Sequence, residues 1–580
     1  MTTTGDGNKV ATVPVAVETG GRELLMTTKR RSMKTNRNWN QSWRLIILLL
    51  GALPAAVQAQ FTFTTNNGAI TITGYTGSDG SMVIPAMTNG FPVTSIGAKA
   101  FYEDSYLTNI SIPNGVTTIG DFAFVYTSLG SVTIPDSVTS IGNGGFWNCG
   151  GLRSVTFGNG VTNIGNAADP VGVFGLTALT NVIIPNSVVS IGTLAFQAIG
   201  SLTNVTFGNS VTTLAEEAFI GSGLTSLTLP NSVTNIGASA FMYCNSLKNV
   251  TLGNGVTTIG SEAFYECSIL TNVAILGSVT NFGDDAFYGC SNLTILTLSN
   301  VITIGNSSFQ NCTRLTNFTI PGSVANIGAY AFQNCTRLTN FAIPSSVTNI
   351  GAYAFADTHL SVFAVPASVG NNIGDGAFSG NDYLTSLIIP PSMTRIGNYM
   401  FENCLLLTNV LITDTVTSIG TNAFYNCPSL ANVTIAASVT NMADGAFLNS
   451  GYNGRFYFAG NAPTMGTNVF GGRIGSFPFP WTLYYLPGTT GWSNPFYGST
   501  AILWNPQAQT GDGFFGVRTN QFGFNITGSS NVVLVVEAST NLVNPVWQAL
   551  GTYTLSNAPV YFSDAQWTNY PNRYYRFRSP

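Results

Sequence analysis

The chain has 580 residues, of which 44% are hydrophobic and only 8% charged, with 20 Lys and Arg, 24 Asp and Glu and a single histidine, His359. Eight of the basic residues precede Leu45, so from Gln60 onward 12 basic and 21 acidic residues leave a net charge of −9, which excludes a basic stripe for nucleic acid and a polybasic patch for anionic lipid. One histidine rules out multi-His metal sites, the apolar content rules out wholesale disorder, and Gly 63 with Pro 25 is too little for a collagen-like or low-complexity chain.

Residues 1–44 are polar and close on a basic stretch, Lys29, Arg30, Arg31, Lys34, Arg37 and Arg44, before the apolar run Leu45–Val57. That run is shorter than the roughly 20 apolar residues of a membrane span. Pro54 interrupts it, and Val57-Gln58-Ala59 puts small residues at the −3 and −1 positions of a cleavage site. Residues 1–59 are therefore expected to be a secretory signal peptide with a long n-region, Met26 or Met33 being alternative starts and a signal anchor the rival reading. The mature chain, from Gln60, is expected to be exported, soluble or surface-attached, without a transmembrane segment. Residues 60–80, with the alternating run Ala69–Thr73, are expected to form an N-terminal cap, covering the open end of a stack of repeats.

From residue 81 the chain repeats. Phenylalanine falls in register at 101, 124, 146, 174, 196, 219, 241, 264, 287, 309, 332, 355, 378, 401, 424, 447 and 470; eleven intervals are 23 residues, four are 22 and one is 28. Such a period means a solenoid. Within one repeat, L-x-x-V-x-I alternates and predicts a strand with one face inward. Pro or Gly then turns the chain, V-T-x-I-G predicts a second short strand ended by a Gly suited to positive φ, and A-F returns with Phe filling the wide end. No single coil buries its own apolar face, so stacking does it. At a strand spacing of about 4.8 Å, 17 coils give a rod roughly 80 Å long. The 28-residue interval holds Ala168-Asp-Pro-Val-Gly172, read as an insertion that bulges one coil.

The I-G-x-x-A-F-x-x-C-x-x-L-T-x-V-x-I-P strings, as at Ile327–Pro344, resemble the BspA-type leucine-rich repeats of bacterial secreted and cell-surface proteins. The resemblance covers about residues 81–470. It implies a mainly β repeat solenoid and an extracellular recognition or adhesion scaffold, with no defined ligand. After Phe470, Trp481, Trp492 and Trp504 among prolines suggest a C-terminal cap over 471–510. Residues 511–580 read as a small β-sandwich-like domain with strands at Phe522–Ile526, Asn531–Ala538, Val546–Tyr553 and Tyr574–Phe577, carrying Trp567, Arg573, Arg576 and Arg578.

Several patterns suggest chemistry and are better explained by structure. All eight cysteines (149, 244, 267, 290, 312, 335, 404 and 427) sit three residues after an anchor Phe. Export permits disulfides, but five successive coils carry Cys, an odd number, and Cys149 has none next door. A column of small buried side chains fits better, and parallel side chains do not converge on a metal. Gly511-Asp-Gly-Phe-Phe-Gly516 matches G-x-G-x-x-G but runs on into more strand, a linker turn rather than a dinucleotide loop. Leu486-Pro-Gly-Thr489 resembles a sortase signal but is followed by Thr490 and by no membrane run. Asp357-Thr-His-Leu-Ser361 reads as a surface turn, not a triad. Glu262 and Asp285 share a column and could bind Ca²⁺ or raise one carboxyl pKa; the alternative is a solvated outer turn.

Threonine is the most regular outward feature. The middle residue of V-x-I gives the column Thr133, Thr156, Thr206, Thr228, Thr251, Thr297, Thr319 and Thr434; a second column holds Thr117, Thr139, Thr162, Thr212, Thr234, Thr257 and Thr280. Strand propensity alone accounts for both, or an array of hydroxyls contacts a ligand. Thr206, Thr228, Thr251, Thr297 and Thr319 are the candidate ligand-binding residues. Ala274, Ala342, Ala364, Ile388 and Leu411 interrupt the first column, mostly toward its C-terminal end, which makes that end a candidate for a more adhesive patch. No catalytic residue, metal or cofactor is expected. The expected function is non-enzymatic recognition or adhesion toward an extracellular protein or glycan through the exposed face. A passive envelope scaffold is the alternative, and a hydrolase the remote one.

Overall fold

A computed structural model describes residues 60–580, apart from 167, 169, 170, 276, 278, 317, 340, 341, 452, 453, 472, 475, 476, 479, 480 and 580. The expected signal peptide, residues 1–59, lies outside the described residues. One repeat shows how a coil is built. Asn249–Leu252 is the first strand, with Val250 and Leu252 buried and Thr251 exposed between them. Thr258–Ile259 is the second strand, followed by a tight turn around Phe264. Adjacent coils pair in parallel and in register, Asn249 with Asn272 and Val250 with Val273. About 17 such coils make a mainly β solenoid.

The anchor phenylalanines form one unbroken stack. All sixteen successive pairs from Phe101 to Phe470 have ring centroids 4.8–6.5 Å apart and planes within 1–21° of parallel. Offset stacking of this kind adds to the ~1.5–3 kcal/mol that burying each ring supplies.

The glycine of V-T-x-I-G does not do what its pattern suggests. Of these glycines only Gly165 has positive φ. At Gly260 a Cβ would lie 2.6 Å from the Ala238 nitrogen, and at Gly351 2.3 Å from the Ala329 nitrogen. Close approach of the preceding coil, not backbone handedness, requires glycine there, although Ala215 and Ala443 hold the place in two coils. Left-handed residues fall instead two before and two after the anchor: Glu262 (φ 57°) and Glu266 (φ 54°) flank Phe264. Glu262, Phe264 and Glu266 each donate their N–H to the next coil, to the carbonyls of Asp284 (2.9 Å), Ala286 (2.8 Å) and Tyr288 (2.7 Å). The turn is thus a third hydrogen-bonded ladder, and its bonds offset the ~1–2 kcal/mol that each left-handed non-glycine residue costs.

The cysteine column completes that ladder. All eight thiols are buried and unbridged. Each Sγ donates to the carbonyl of the preceding coil's anchor phenylalanine, Cys290 to Phe264 at 3.2 Å and Cys335 to Phe309 at 3.1 Å. The same carbonyl accepts an N–H from its own coil, Cys267 to Phe264. The position favours a small buried donor: Ser450 and Asn381 take the place of Cys and donate to the Phe424 and Phe355 carbonyls, while Ile199 fills it with an apolar side chain. Burial pushes the Cys149 and Cys244 thiols up to about 11 and Cys427 to about 12, and the other five well above the ordinary thiol value.

The first-strand ladder is segmented, whereas the second runs as one nine-stranded parallel sheet from Asn163–Ile164 to Asn349–Ile350. First-strand sheets end before Ser131–Ile134, Asn181–Ile183 and Ser226–Thr228. Each of these strands follows a turn one residue shorter than at Phe264, with Thr127, Thr177 or Ser222 at the cysteine position. The missing residue withholds the chain length that the strand needs to keep register with the coil before it. At the N-terminal end, a hairpin of Phe61–Asn66 and Ala69–Tyr75, turned by Asn67-Gly68 at φ 49° and 77°, pairs with Phe91–Ile96 over the second-strand ladder.

Beyond Phe470 the parallel first-strand sheet carries on through Thr482–Tyr485 and Thr500–Leu503. The C-terminal part forms two antiparallel sheets. One joins Gln507–Gln509, Gly516–Arg518, Gln521–Thr527 and Val560–Asp564; the other joins Val533–Ser539, Gln548–Thr554 and Tyr574–Arg578. Gly511–Gly516 leads into the hairpin of the first sheet. Phe524, Ile526, Leu534, Val536 and Phe562 are buried between the sheets, making a small all-β domain.

Candidate functional site

Strand alternation puts the middle residue of each first strand outside, and Thr206, Thr228, Thr251, Thr297 and Thr319 are all exposed. Thr228 pairs with Thr251, Thr251 with Ala274 and Ala274 with Thr297, so three candidates share one continuous sheet with a methyl group among them. Thr206 belongs to the preceding two-stranded sheet, beside Ile183. Across the break between these sheets Thr206 and Thr228 line a shallow depression of about 350 Å³ with Asn204, Asn209 and Ser226. Thr319 is exposed but lies outside the described strands.

The threonine columns look alike in sequence and differ in bonding. In the second column Thr117, Thr139, Thr212, Thr234 and Thr257 each donate the hydroxyl to a carbonyl of the preceding coil at 3.1–3.2 Å. A third column, which strand patterning does not single out, does the same: Thr203, Thr225, Thr271, Thr294 and Thr408, at 2.9–3.2 Å. These hydroxyls are consumed in holding coils together. Among the described residues none of the five candidate hydroxyls has a partner.

Toward the C-terminus the first column turns apolar. Ile388 is 67% exposed and is paired with Leu411; Leu411 is paired with Thr434, Thr434 with Tyr457 and Tyr457 with Tyr484. Tyr457 and Tyr484 stack at 5.2 Å and are buried under the C-terminal domain, where the Tyr484 hydroxyl donates to the Asn531 carbonyl at 2.9 Å. The face that carries the candidate threonines therefore already docks one β domain at its far end.

The model of the BspA type leucine rich repeat region matches residues 89–168, 171–294, 259–381 and 371–486, more than half of the chain. The chain belongs to the BspA-type leucine-rich repeat family. Among solved structures it is similar to a leucine rich cell surface protein of Faecalibacterium prausnitzii A2-165, with 26% identity over 67% of this chain and 91% of that one and a TM-score of 0.29. It is similar also to the leucine rich repeat protein of T. pallidum (27%, 40% and 88%, TM-score 0.26) and to a leucine-rich repeat protein from Bacteroides ovatus ATCC 8483 (21%, 65% and 94%, TM-score 0.33). No curated protein matches it significantly.

The remaining candidates on this BspA-type solenoid resolve into local roles. Glu262 accepts a hydrogen bond from Ser239 Oγ at 3.0 Å. Burial first, then the Glu262 and Asp284 charges, raises the Asp285 carboxyl above its ordinary value. Among the described residues no cluster of three or more His, Cys, Asp or Glu could hold a metal ion. Asp284, next to them, spends both oxygens on Asn306 of the following coil. The His359 imidazole lies 3.6 Å from Asp382 and beside the Tyr383 ring, both in the next coil. No helix among the described residues is long and apolar enough to cross a membrane. A large cavity lies in the C-terminal domain, lined mainly by aromatic rings and two arginines.

Proposed function

We propose that this BspA-type repeat protein is exported and recognises an extracellular protein or glycan, without catalysis, through the outward face of its first strands. The observation that carries the reading is the contrast among the threonine columns. Two are consumed in bonds between coils, while the exposed first column presents candidate hydroxyls with no partner among the described residues. A ligand can replace water on those hydroxyls without breaking any bond of the fold, for a modest net gain per hydrogen bond. The docking of the C-terminal domain on Tyr457 and Tyr484 of the same column supports it further. The expected ligand set is Thr206, Thr228, Thr251, Thr297 and Thr319, with Ile388 and Leu411 as an apolar extension. A glycan and matrix-protein array probed with chain 60–580 is the test, and a reproducible partner is the expected result. The alternative, a passive envelope scaffold, draws on the fact that the other two threonine columns serve stability alone; an array without any hit supports it.

A further inference from the structure

The C-terminal domain carries a second feature that solenoid recognition does not use. Its cavity of about 730 Å³ opens between the end of the last strand and the turn before it, with Phe515, Trp547, Trp567 and Tyr570 around it. Arg573 lies in its wall with a side chain only 5% exposed. Its Nε is 2.6 Å from Asp564 Oδ2, and its plane covers Tyr570 at 4.2 Å. Nε and Nη2 are both buried without a hydrogen bond of good geometry among the described residues, and Nη2 has no ion-pair contact either. An unpartnered guanidinium N–H costs free energy unless something in the cavity accepts from it.

The charges around it are unevenly shared. Asp564 faces Arg573, while Glu537 alone faces both Arg576 and Arg578, at 2.7 Å each. Of these, only Arg573 and Arg576 line the cavity, and Arg576 shares its carboxylate with Arg578 outside the lining. Arg576 lies over Trp547 at 4.3 Å, so the cation that shares its carboxylate sits beside an aromatic plane. Aromatic walls with one buried donor suit a ring that has apolar faces and one acceptor edge.

We propose that this cleft binds a carboxylate-bearing sugar ring of an acidic polysaccharide. The ring packs against the indoles of Trp547 and Trp567, and its carboxylate accepts from Arg573 Nη2. Guanidinium–carboxylate pairing in a desolvated pocket is strong and directional, whereas a neutral sugar offers Nη2 only the weaker, uncharged acceptors of its hydroxyl or ester oxygens. Recognition by the solenoid face neither requires nor excludes this site.

The test is calorimetric titration of chain 60–580 with a galacturonate trisaccharide and with its methyl ester. Binding of the acid, at least tenfold weaker binding of the ester, and at least tenfold loss in Trp547→Ala support the proposal. Arg573→Lys keeps the charge opposite Asp564 but removes the Nη2 donor, and should lose at least tenfold as well. Should Arg573→Lys fail to fold, the partly exposed Trp547→Ala variant decides alone. Equal binding of acid and ester overturns the carboxylate assignment. Absence of binding at millimolar trisaccharide, or full affinity in a folded Trp547→Ala variant, overturns the site.

Discussion

Alkaline pH should open this solenoid at its cysteine block. Cys244, Cys267, Cys290, Cys312 and Cys335 lie in five successive coils, each thiol buried and bonded to a phenylalanine carbonyl. Burial raises their native pKa to about 11 for Cys244 and well above the ordinary value of 9.0 for the rest. Below pH 9 native and unfolded chains both keep the protons, and the thiols give stability no slope. Above it the unfolded chain releases protons that the native chain retains, so stability falls as pH rises from the unfolded value toward the native one. One pKa unit is worth about 1.4 kcal/mol, so five thiols lose ~7 kcal/mol between pH 8 and pH 10. Because coupling in a solenoid is mainly between neighbours, the loss should be local. Pulse proteolysis with mass-spectrometric mapping of the cleavage sites across a urea series should show residues 241–335 opening first at pH 10 but not at pH 8. The control is Cys→Ser at all five, since Ser450 shows that serine keeps the donor without titrating in this range. If the serine variant opens at the same pH as the parent, or if the cysteine-free coils from Phe174 to Phe219 open first, the reasoning fails.

Phe332 is fully buried in the stack, 5.4 Å from both Phe309 and Phe355 and 5.0 Å from Phe318. Phe332→Ala should cost about 3–5 kcal/mol, read as new proteolytic cleavage near residues 310–355 with the distant coils intact; simultaneous loss of all structure would contradict nearest-neighbour coupling. Gly260→Ala should destabilise by about 1–3 kcal/mol in urea melts, because its Cβ meets the Ala238 backbone at 2.6 Å. A neutral effect would return that glycine to a purely local role.

What sequence reveals here depends on how often a contact repeats and whether it leaves a residue signature. The Phe stack was legible because one buried ring per coil recurs across the chain. The cysteine column was legible as buried, but its donor role emerges only from the Phe264 and Phe309 carbonyls it meets. Glycine after isoleucine suggested positive φ, since a lone letter does not distinguish handedness from a neighbouring backbone; residues such as Glu262 and Tyr330 take the left-handed places and look ordinary in sequence. The turns shortened after Phe124, Phe174 and Phe219 lie in three of the four 22-residue intervals, but the fourth, after Phe287, keeps a full turn with Cys290, so interval length alone does not place them. The three threonine columns are indistinguishable by propensity, and only their hydroxyl partners separate them. In the C-terminal domain the strand Val560–Asp564 and the partners Asp564 and Glu537 were missed, because a non-repeating β domain offers no column against which to align a single acid.

The central claim is that the first-strand face is the binding surface. It is tested most directly by changing Thr228, Thr251, Thr297 and Thr319 to Lys in one variant and measuring affinity for the partner found by the array, alongside the melting temperature. Exposed strand positions shift stability modestly, so the variant should fold and melt close to the parent, while bulk and charge across a neutral face cut affinity at least tenfold, about 1.4 kcal/mol. Unchanged affinity in the folded variant would contradict the claim and move the site to the outer turns around Tyr265 and Tyr288 or to the C-terminal domain.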